Sequence, residues 1–389
     1  MADPLSGARA KFTRVFGAGG RIHVVRAPGR VNLIGEHVDY NEGIVLPMAI
    51  EPQVLAVCRV NPDPKVRLAS TAFPNELVEI QLDQPVEPAR PQWANYGRGM
   101  VAKLMDAGIP LCGADILLDH TLPVGGGLSS SAAVLIAMGL SLLTIGGNRM
   151  DPARLAMLAH SAEHDFAGVP CGIMDQMVVA AARAGHAMML DCRSLQRSFV
   201  PLDPLELRVV VANTMVHHDL SDGAYSERVA SCRRAVEFFR GANPSIRALR
   251  DVTPEQVEAA RGQLDETTWR RARHVVHEIA RTILAAELLG KRRYEEVGEL
   301  MRQSHDSLAR DYQVSRQELD FLVDQARATA GVYGARLTGG GFGGCVVALV
   351  QPRAAEPLME RLRESYRAKF QIDPMVFATT AAAGASVLE

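Results

Sequence analysis

The spacing of apolar residues changes character along the chain. In the first half, short runs of β-branched or alternating apolar positions predict strands at 22–25, 44–50, 54–60, 66–70, 77–82 and 114–118. Between and after them, helical periods predict helices at 96–107, 130–143 and 153–166, the last opened by Asp151 as N-cap with Pro152 at the first helical position. Strand-like segments at 186–191 and 207–212 follow. The stretch 221–328 reads as mainly helical, and the chain closes with a strand at 345–350, a helix at 354–369 and a strand at 375–379. Strands that come in runs, rather than alternating strictly with helices, predict an α+β protein and not a doubly wound sheet.

Length sharpens this picture. At roughly 150 residues per domain, 389 residues suggest two domains, and the Pro-containing stretch 199–207 is the expected boundary, dividing 1–200 from 201–389. A net charge of −2 makes nucleic acid an unexpected partner. The most apolar stretch, 132–145, is interrupted by Gly139 and Ser141 and is shorter than the ~18 residues of a membrane span, so it is expected to be a buried helix. Scattered cysteines without a local pair, and an N-terminus lacking an apolar targeting core, predict reduced thiols in a cytoplasmic protein.

Three loops carry the candidate chemistry. Residues 26–43, RAPGRVNLIGEHVDYNEG, are too long for a tight hairpin and dense in Arg30, Glu36, His37, Asp39 and other functional groups. As composition alone, a binding site and a salt-bridged surface connection are equally good readings. The second loop, LPVGGGLSSSAAV, combines Gly125, Gly126, Gly127 and Leu128 with Ser129, Ser130 and Ser131 at the head of an apolar helix. Glycines let backbone N–H groups point inward, and a helix N-terminus presents unpaired N–H groups with partial positive charge, so the pattern describes a phosphate cradle. It lacks the Lys of GxxxxGK[ST] and is not that motif. The third, LTGGGFGGCVVALV, satisfies GxGxxG but runs into a strand, which excludes a dinucleotide fingerprint and leaves a glycine turn able to close over a ligand.

Two acids stand out between these loops. Glu163 falls at the edge of the apolar stripe Leu155, Leu158, Ala159, Ala162 and Phe166, where it can reach a cavity, whereas His160 and His164 are expected to face solvent. The HExxH spacing is absent, so this pair does not predict a metalloprotease. Asp175 lies in the apolar segment CGIMDQM, where a carboxylate is costly unless capped, paired or used. Local sequence favours a helix-terminal Asp over a functional one.

The first loop, in GRVNLIGEHVDYNEG, closely resembles the signature of galactokinases, and the two glycine loops are similar to the second and third motifs of the wider GHMP small-molecule kinases. The resemblance continues in order through AEHDFAGVPCGIMDQ, DGAYSERVASC, RARHVVHEI and SHDSLARDYQVS, and so covers nearly the whole chain. It implies a two-lobed α+β fold: an N-terminal domain like the second domain of ribosomal protein S5, and a ferredoxin-like C-terminal domain. ATP and a sugar would lie between them. Carried over by matching position, Arg30 and Asp175 would be the catalytic pair. Glu36, His37, Asp39, Gly172, Asp175 and Tyr225 would contact the sugar; residues 125–131 would hold the ATP phosphates; Trp93 would lie near the adenine; Ser131 and Glu163 would bind Mg²⁺.

The implied reaction is ATP-dependent phosphorylation of galactose at its anomeric hydroxyl. Kinases of N-acetylgalactosamine, galacturonate or arabinose, and sugar sensors without turnover, are the competing readings. Val38 and Ala133 stand where many members have Thr and Ser, and neither removes a charged group. No nucleic-acid or membrane partner is expected, and the chain is expected to be a monomer or weak homodimer.

Overall fold

The computed structural model describes residues 4–123, 126–216 and 223–389. Gly125 and Asp222, both singled out above, lie outside the described residues.

The chain opens with α1 (Pro4–Phe16) and β1 (His23–Asn32), then β2 (Ile44–Val45), β3 (Pro47–Val60), β4 (Lys65–Ser70) and β5 (Phe73–Gln81). Next come α2 (Asn95–Asp106), β6 (Ala114–His120), α3 (Ser130–Ile145), α4 (Pro152–Ala162) and α5 (Met174–Ala181). Strands β1, β3, β4, β5 and β6 share a sheet ordered β13-β1-β3-β6-β4-β5, whose outer strand β13 (Ser386–Val387) is supplied by the far end of the chain. Helices α2 to α5 lie on one face of this sheet. Helix α1 covers part of the other face through Ala8, Phe12 and Phe16, which pack on Val24, Leu55, Val57 and Leu117.

The segments read as strands 44–50 and 54–60 divide differently: Ile44–Val45 forms β2, and β3 runs unbroken from Pro47 through the second segment. The reason lies at Pro52, which has no N–H to give. The β1–β3 register jumps there, from Pro28↔Gln53 to Arg30↔Ala49, so Pro52 faces the irregularity and not a ladder position. The extra residues of this bulge, 50–52, lie on β3, and Gly29 stands opposite them on the partner strand. A Cβ on Gly29 would stand 2.5 Å from Leu122 Cδ2 and 3.0 Å from the Leu128 carbonyl oxygen, so only glycine lets the second loop lie against β1.

A small sheet of β2, β7 (His186–Asp191) and β8 (Arg197–Pro201) follows, with part of the expected boundary stretch forming β8. Then β9 (Arg208–Asn213) enters a second, antiparallel sheet ordered β10-β11-β9-β12, with β10 (Val332–Thr338), β11 (Cys345–Val350) and β12 (Met375–Thr379). Helices α6 (Ala224–Ala242), α7 (Pro254–Ala259), α8 (Glu266–Gly290), α9 (Tyr294–Ser307), α10 (Gln317–Arg327) and α11 (Ala355–Phe370) complete the C-terminal half. Strand β10 went unpredicted because VYGARLT carries a glycine. Gly334 is needed there, since its Cβ would come within 2.5 Å of Gly298 Cα on α9.

The predicted 153–166 helix is present but changes type. Asp151 caps α4 by accepting from the Ala153 and Arg154 N–H groups, and after Ala162 the helix widens into a π turn over Glu163–Ala167. Such widened turns recur at functional sites. Among the described residues, no helix is long and apolar enough to cross a membrane.

Candidate active site

A cavity of about 680 Å³ is lined by residues of all three predicted loops, together with Asp175, Glu163 and Tyr225. Strand β1 delivers Arg30 to its floor, where the side chain is almost fully buried. The Arg30 guanidinium binds Asp175 in a fork: Nε to Oδ1 at 2.7 Å and Nη2 to Oδ2 at 2.7 Å. Its Nη1 donates to the Gly127 carbonyl at 2.7 Å, and its backbone N–H to Leu128 at 3.2 Å. Burial opposes the Arg30 charge, but the charge and hydrogen bonds of Asp175 outweigh it and raise the guanidinium pKa.

Asp175 lies in the first turn of α5 but does not serve as its cap. Its side chain leaves the helix to meet Arg30 and the Ser129 hydroxyl. Ser129, the residue before α3, has φ of 58° and makes no side-chain cap bond, because its hydroxyl is committed to Asp175. The first N–H groups of α3 are left without a side-chain cap at the cavity, where Ser130 and Ser131 form part of the wall.

The second and third loops face each other closely. Gly339 is left-handed, at φ of 86°, and its Cβ would stand 3.1 Å from the Gly127 carbonyl oxygen; Gly344 comes as near to Gly127 as 3.8 Å in the same sense. The Gly126 carbonyl accepts from Asn213 Nδ2 at 3.2 Å and from the Cys345 thiol at 3.0 Å, which ties the loop to the C-terminal sheet.

At the opposite end, the first loop places Glu36, His37 and Asp39 together. Glu36 is 2% exposed and accepts from Arg336 Nη2 at 2.8 Å, Thr338 Oγ1 at 3.0 Å, Gly339 N–H at 2.7 Å and Asn32 Nδ2. A carboxylate offers about four lone-pair sites, so these donors occupy Glu36 fully. Its work in this structure is to bind the first loop to β10. Burial raises its pKa, against the opposing pull of Arg336.

His37, at φ of 62°, hydrogen-bonds Tyr40 Oη through Nδ1 at 2.8 Å. Burial lowers its pKa to about 3, helped by nearby His274 and Arg228, so the ring is neutral. Its Nε2 is buried beside the Gly340 backbone. Asp39 is half-buried in the cavity wall, and desolvation there, followed by the Asp175 charge, raises its pKa to about 7. Gly172 packs directly on it: a Cβ there would lie 2.2 Å from Asp39 Oδ2. Tyr225 completes the wall, its ring 5.7 Å from His37 and 5.6 Å from Tyr40.

Glu163 is 5% exposed, with its carboxyl bonded to Ser131 and to Gln176 Nε2 at 2.6 Å. Burial raises its pKa, and the charge of Asp175 adds to that effect. The side chains bonded to Glu163 are both neutral, so its carboxylate has no cation paired with it there, which suits a hard cation held by oxygen ligands. Of the two histidines expected to face solvent, His164 is exposed and His160 half-buried. Both turn their Nε2 atoms onto the Cys171 carbonyl, at 3.0 and 2.7 Å.

Trp93 stacks on Phe73 with centroids 5.2 Å apart and planes 5° from parallel, and its Nε1 donates to Glu76. Sequence reasoning missed Phe73, Tyr96, His120, Arg316 and Phe342, which also line the cavity. Phe73 had a local sign in the aromatic at the start of a strand; Arg316 had none, because only the tertiary fold brings it to the third glycine loop.

Residues 10–60 match the galactokinase galactose-binding signature, 95–183 the GHMP kinase N-terminal domain and 285–368 the GHMP kinase C-terminal domain. A galactokinase of Chloroflexus aurantiacus is 42% identical over 384 residues, spanning 98% of this chain and 97% of the relative. The human galactokinase is 42% identical over 372 residues, spanning 94% and 93%. The crystal structure of Lactococcus lactis galactokinase complexed with galactose superposes with a TM-score of 0.94 at 34% identity, over 99% of this chain and all of that one. Methanococcus jannaschii mevalonate kinase, at 17% identity and a TM-score of 0.64, shares the fold. Matched along nearly its full length by sequence and by structure, the chain is a member of the galactokinase family, with the two-lobed α+β fold of the GHMP kinases.

Proposed function

We propose that this chain transfers the terminal phosphoryl group of ATP to the anomeric hydroxyl of galactose, giving galactose 1-phosphate and ADP. The observation that carries the reading is the position of Asp175, whose one carboxylate touches both Arg30 and the Ser129 hydroxyl of the glycine loop. A group that accepts the sugar's proton therefore stands at the edge of a cradle suited to phosphates.

Phosphoryl transfer passes through a loose transition state, so catalysis rests on alignment and charge stabilisation more than on a strong base. In this reading Asp175 orients the anomeric hydroxyl and takes its proton late, once cleavage toward ADP has made that hydroxyl acidic. Arg30 fixes the Asp175 carboxylate through two bonds and places positive charge beside the phosphate path. Residues 126–131 offer backbone N–H groups to the phosphates, and Trp93 with Phe73 forms an aromatic face for the adenine. His37, Asp39, the Gly172 backbone and Tyr225 line the sugar end; Glu36 serves there by holding the wall. Ser131 and Glu163 would hold Mg²⁺, which when bound supplies positive charge against the phosphate oxygens. The lobes are proposed to divide at 200/201, at the last residue of β8 and before β9, with β13 returning to the first sheet.

Rate of ADP release with galactose, glucose, N-acetylgalactosamine, galacturonate and arabinose tests the reading. Galactose is expected to give the highest kcat/KM and glucose to be rejected, because an epimer leaves the Asp39 carboxylate unpaired. Saturable galactose binding with no ADP release would replace the kinase with a sensor.

A further inference from the structure

One cluster of ligating side chains has no part in the reaction derived above. His160 lies in the last turn of α4 and His164 one turn on in the π turn, with ring centroids 4.2 Å apart. Both Nε2 atoms converge on one oxygen, the Cys171 carbonyl. A carbonyl only accepts, so both Nε2 atoms donate there; this orients the two rings together toward the segment that carries Cys171 and leaves the lone pair of each neutral ring at Nδ1. Cys171 also brings a third donor: a nitrogen from each ring and its sulfur lie within 4.8 Å of one another. Around a tetrahedral zinc with bonds of about 2.0–2.3 Å, ligand atoms stand about 1 Å closer than that, a difference side-chain rotation covers. The missing HExxH glutamate excludes a protease but not a site completed by a thiol.

We propose that His160, His164 and Cys171 form a binding site for a zinc-type divalent cation, distinct from the oxygen-ligand position at Ser131 and Glu163. Sulfur and imidazole prefer a borderline-soft ion, whereas Mg²⁺ prefers oxygen, so the two positions select different metals. On binding, the Cys171 S–H bond breaks, its proton passes to solvent and sulfur bonds the ion. Each imidazole binds through an unprotonated nitrogen, the ion sheds water, and no electrons are exchanged. The proposal does not depend on the kinase reading.

The test uses the full chain, free of ATP and sugar, in a large excess of Mg²⁺. Zn²⁺ is titrated against a chromophoric chelator, and Co²⁺ serves as the spectroscopic probe. One zinc per chain is expected despite the Mg²⁺, and the Co²⁺ form should show near-ultraviolet thiolate-to-metal absorption. In His160→Gln the amide can still donate to the Cys171 carbonyl but is a poor metal ligand. Its zinc affinity should fall at least ~10-fold, since loss of even an outer-shell partner typically costs that much. His164→Gln should behave alike, with circular dichroism and melting curves confirming that both variants fold. No zinc bound by the parent chain, equal affinity in the two folded variants, or a Co²⁺ spectrum without thiolate absorption would overturn the proposal.

Discussion

In the proposed function, the two ends of the cavity recognise sugar and nucleotide by different means. At the sugar end, recognition is by charged and polar side chains that are themselves held: Asp175 by Arg30 and Ser129, His37 by Tyr40, Asp39 by the close pack of Gly172. At the nucleotide end it is by backbone and ring faces: the opposed glycines of the second and third loops, and the Phe73–Trp93 stack. A sugar is told from its epimers by where hydroxyls point, which demands fixed donors and acceptors. A triphosphate needs many N–H groups within reach and little side-chain bulk. Substitutions at the sugar end should therefore be felt strongly and specifically, and those at the nucleotide end more mildly.

The largest effect is expected where the two ends meet. Asp175→Asn should retain galactose binding by calorimetry while kcat falls about 10² to 10⁴-fold, the usual worth of a positioned proton acceptor. Near-normal turnover would remove Asp175 from its assigned role. Next comes Gly172→Ala, which forces Asp39 aside because the added Cβ would fall 2.2 Å from its Oδ2. Displacement of that kind costs about 1–3 kcal/mol, read as a raised KM for galactose with little change in KM for ATP.

The pH dependence of sugar binding sharpens the contrast further. The ligand-free Asp39 carboxyl titrates at about 7, raised first by burial and then by Asp175. Sugar hydroxyls donate to its ionised form, so galactose affinity should rise as pH increases through 7 and weaken about tenfold for each unit below. For the ligand-free chain the sign is opposite: an acid whose folded pKa is raised contributes stability at low pH, and loses it as pH climbs from the ordinary carboxyl range through about 7. In Asp39→Asn the affinity profile should flatten. ATP binding should not follow this profile.

Glu163→Gln should move the Mg²⁺ midpoint of turnover several-fold upward, by about 1 kcal/mol for one lost charged ligand in a partly wet site. An unmoved titration would argue against ligation. Trp93→Ala should have the smallest effect, raising KM for ATP by no more than about tenfold, since an aromatic pair is worth about 0.5–1.5 kcal/mol. A loss of galactose affinity in that variant would break the division between the two ends.

How much of this was legible in the sequence depended on how local the cause was. Helix α3 and the Asp151 cap of α4 follow from contiguous residues and appear as expected. The first helix was missed although Ala8, Phe12 and Phe16 repeat every fourth residue, because a stripe that narrow covers only one strip of sheet. Residue β13 Ser386 and its neighbour form a strand solely by pairing with Arg26 and Val25, a contact no local pattern encodes. For the site, Glu163 at an apolar edge was legible from periodicity, and the π turn that follows α4 was not. Asp175 is the sharpest case. Its surroundings in sequence favoured a helix-terminal role and resemblance favoured catalysis, and the partner that draws its side chain away from the helix is Arg30, 145 positions away.

The most direct measurement is phosphorus and carbon NMR of the product formed from galactose and ATP in the presence of Mg²⁺. The account predicts a single sugar phosphate whose phosphorus couples to carbon 1, formed in equal amount to ADP. Phosphorus coupled to any other ring or side-chain carbon, or ADP appearing without a sugar phosphate, would contradict it.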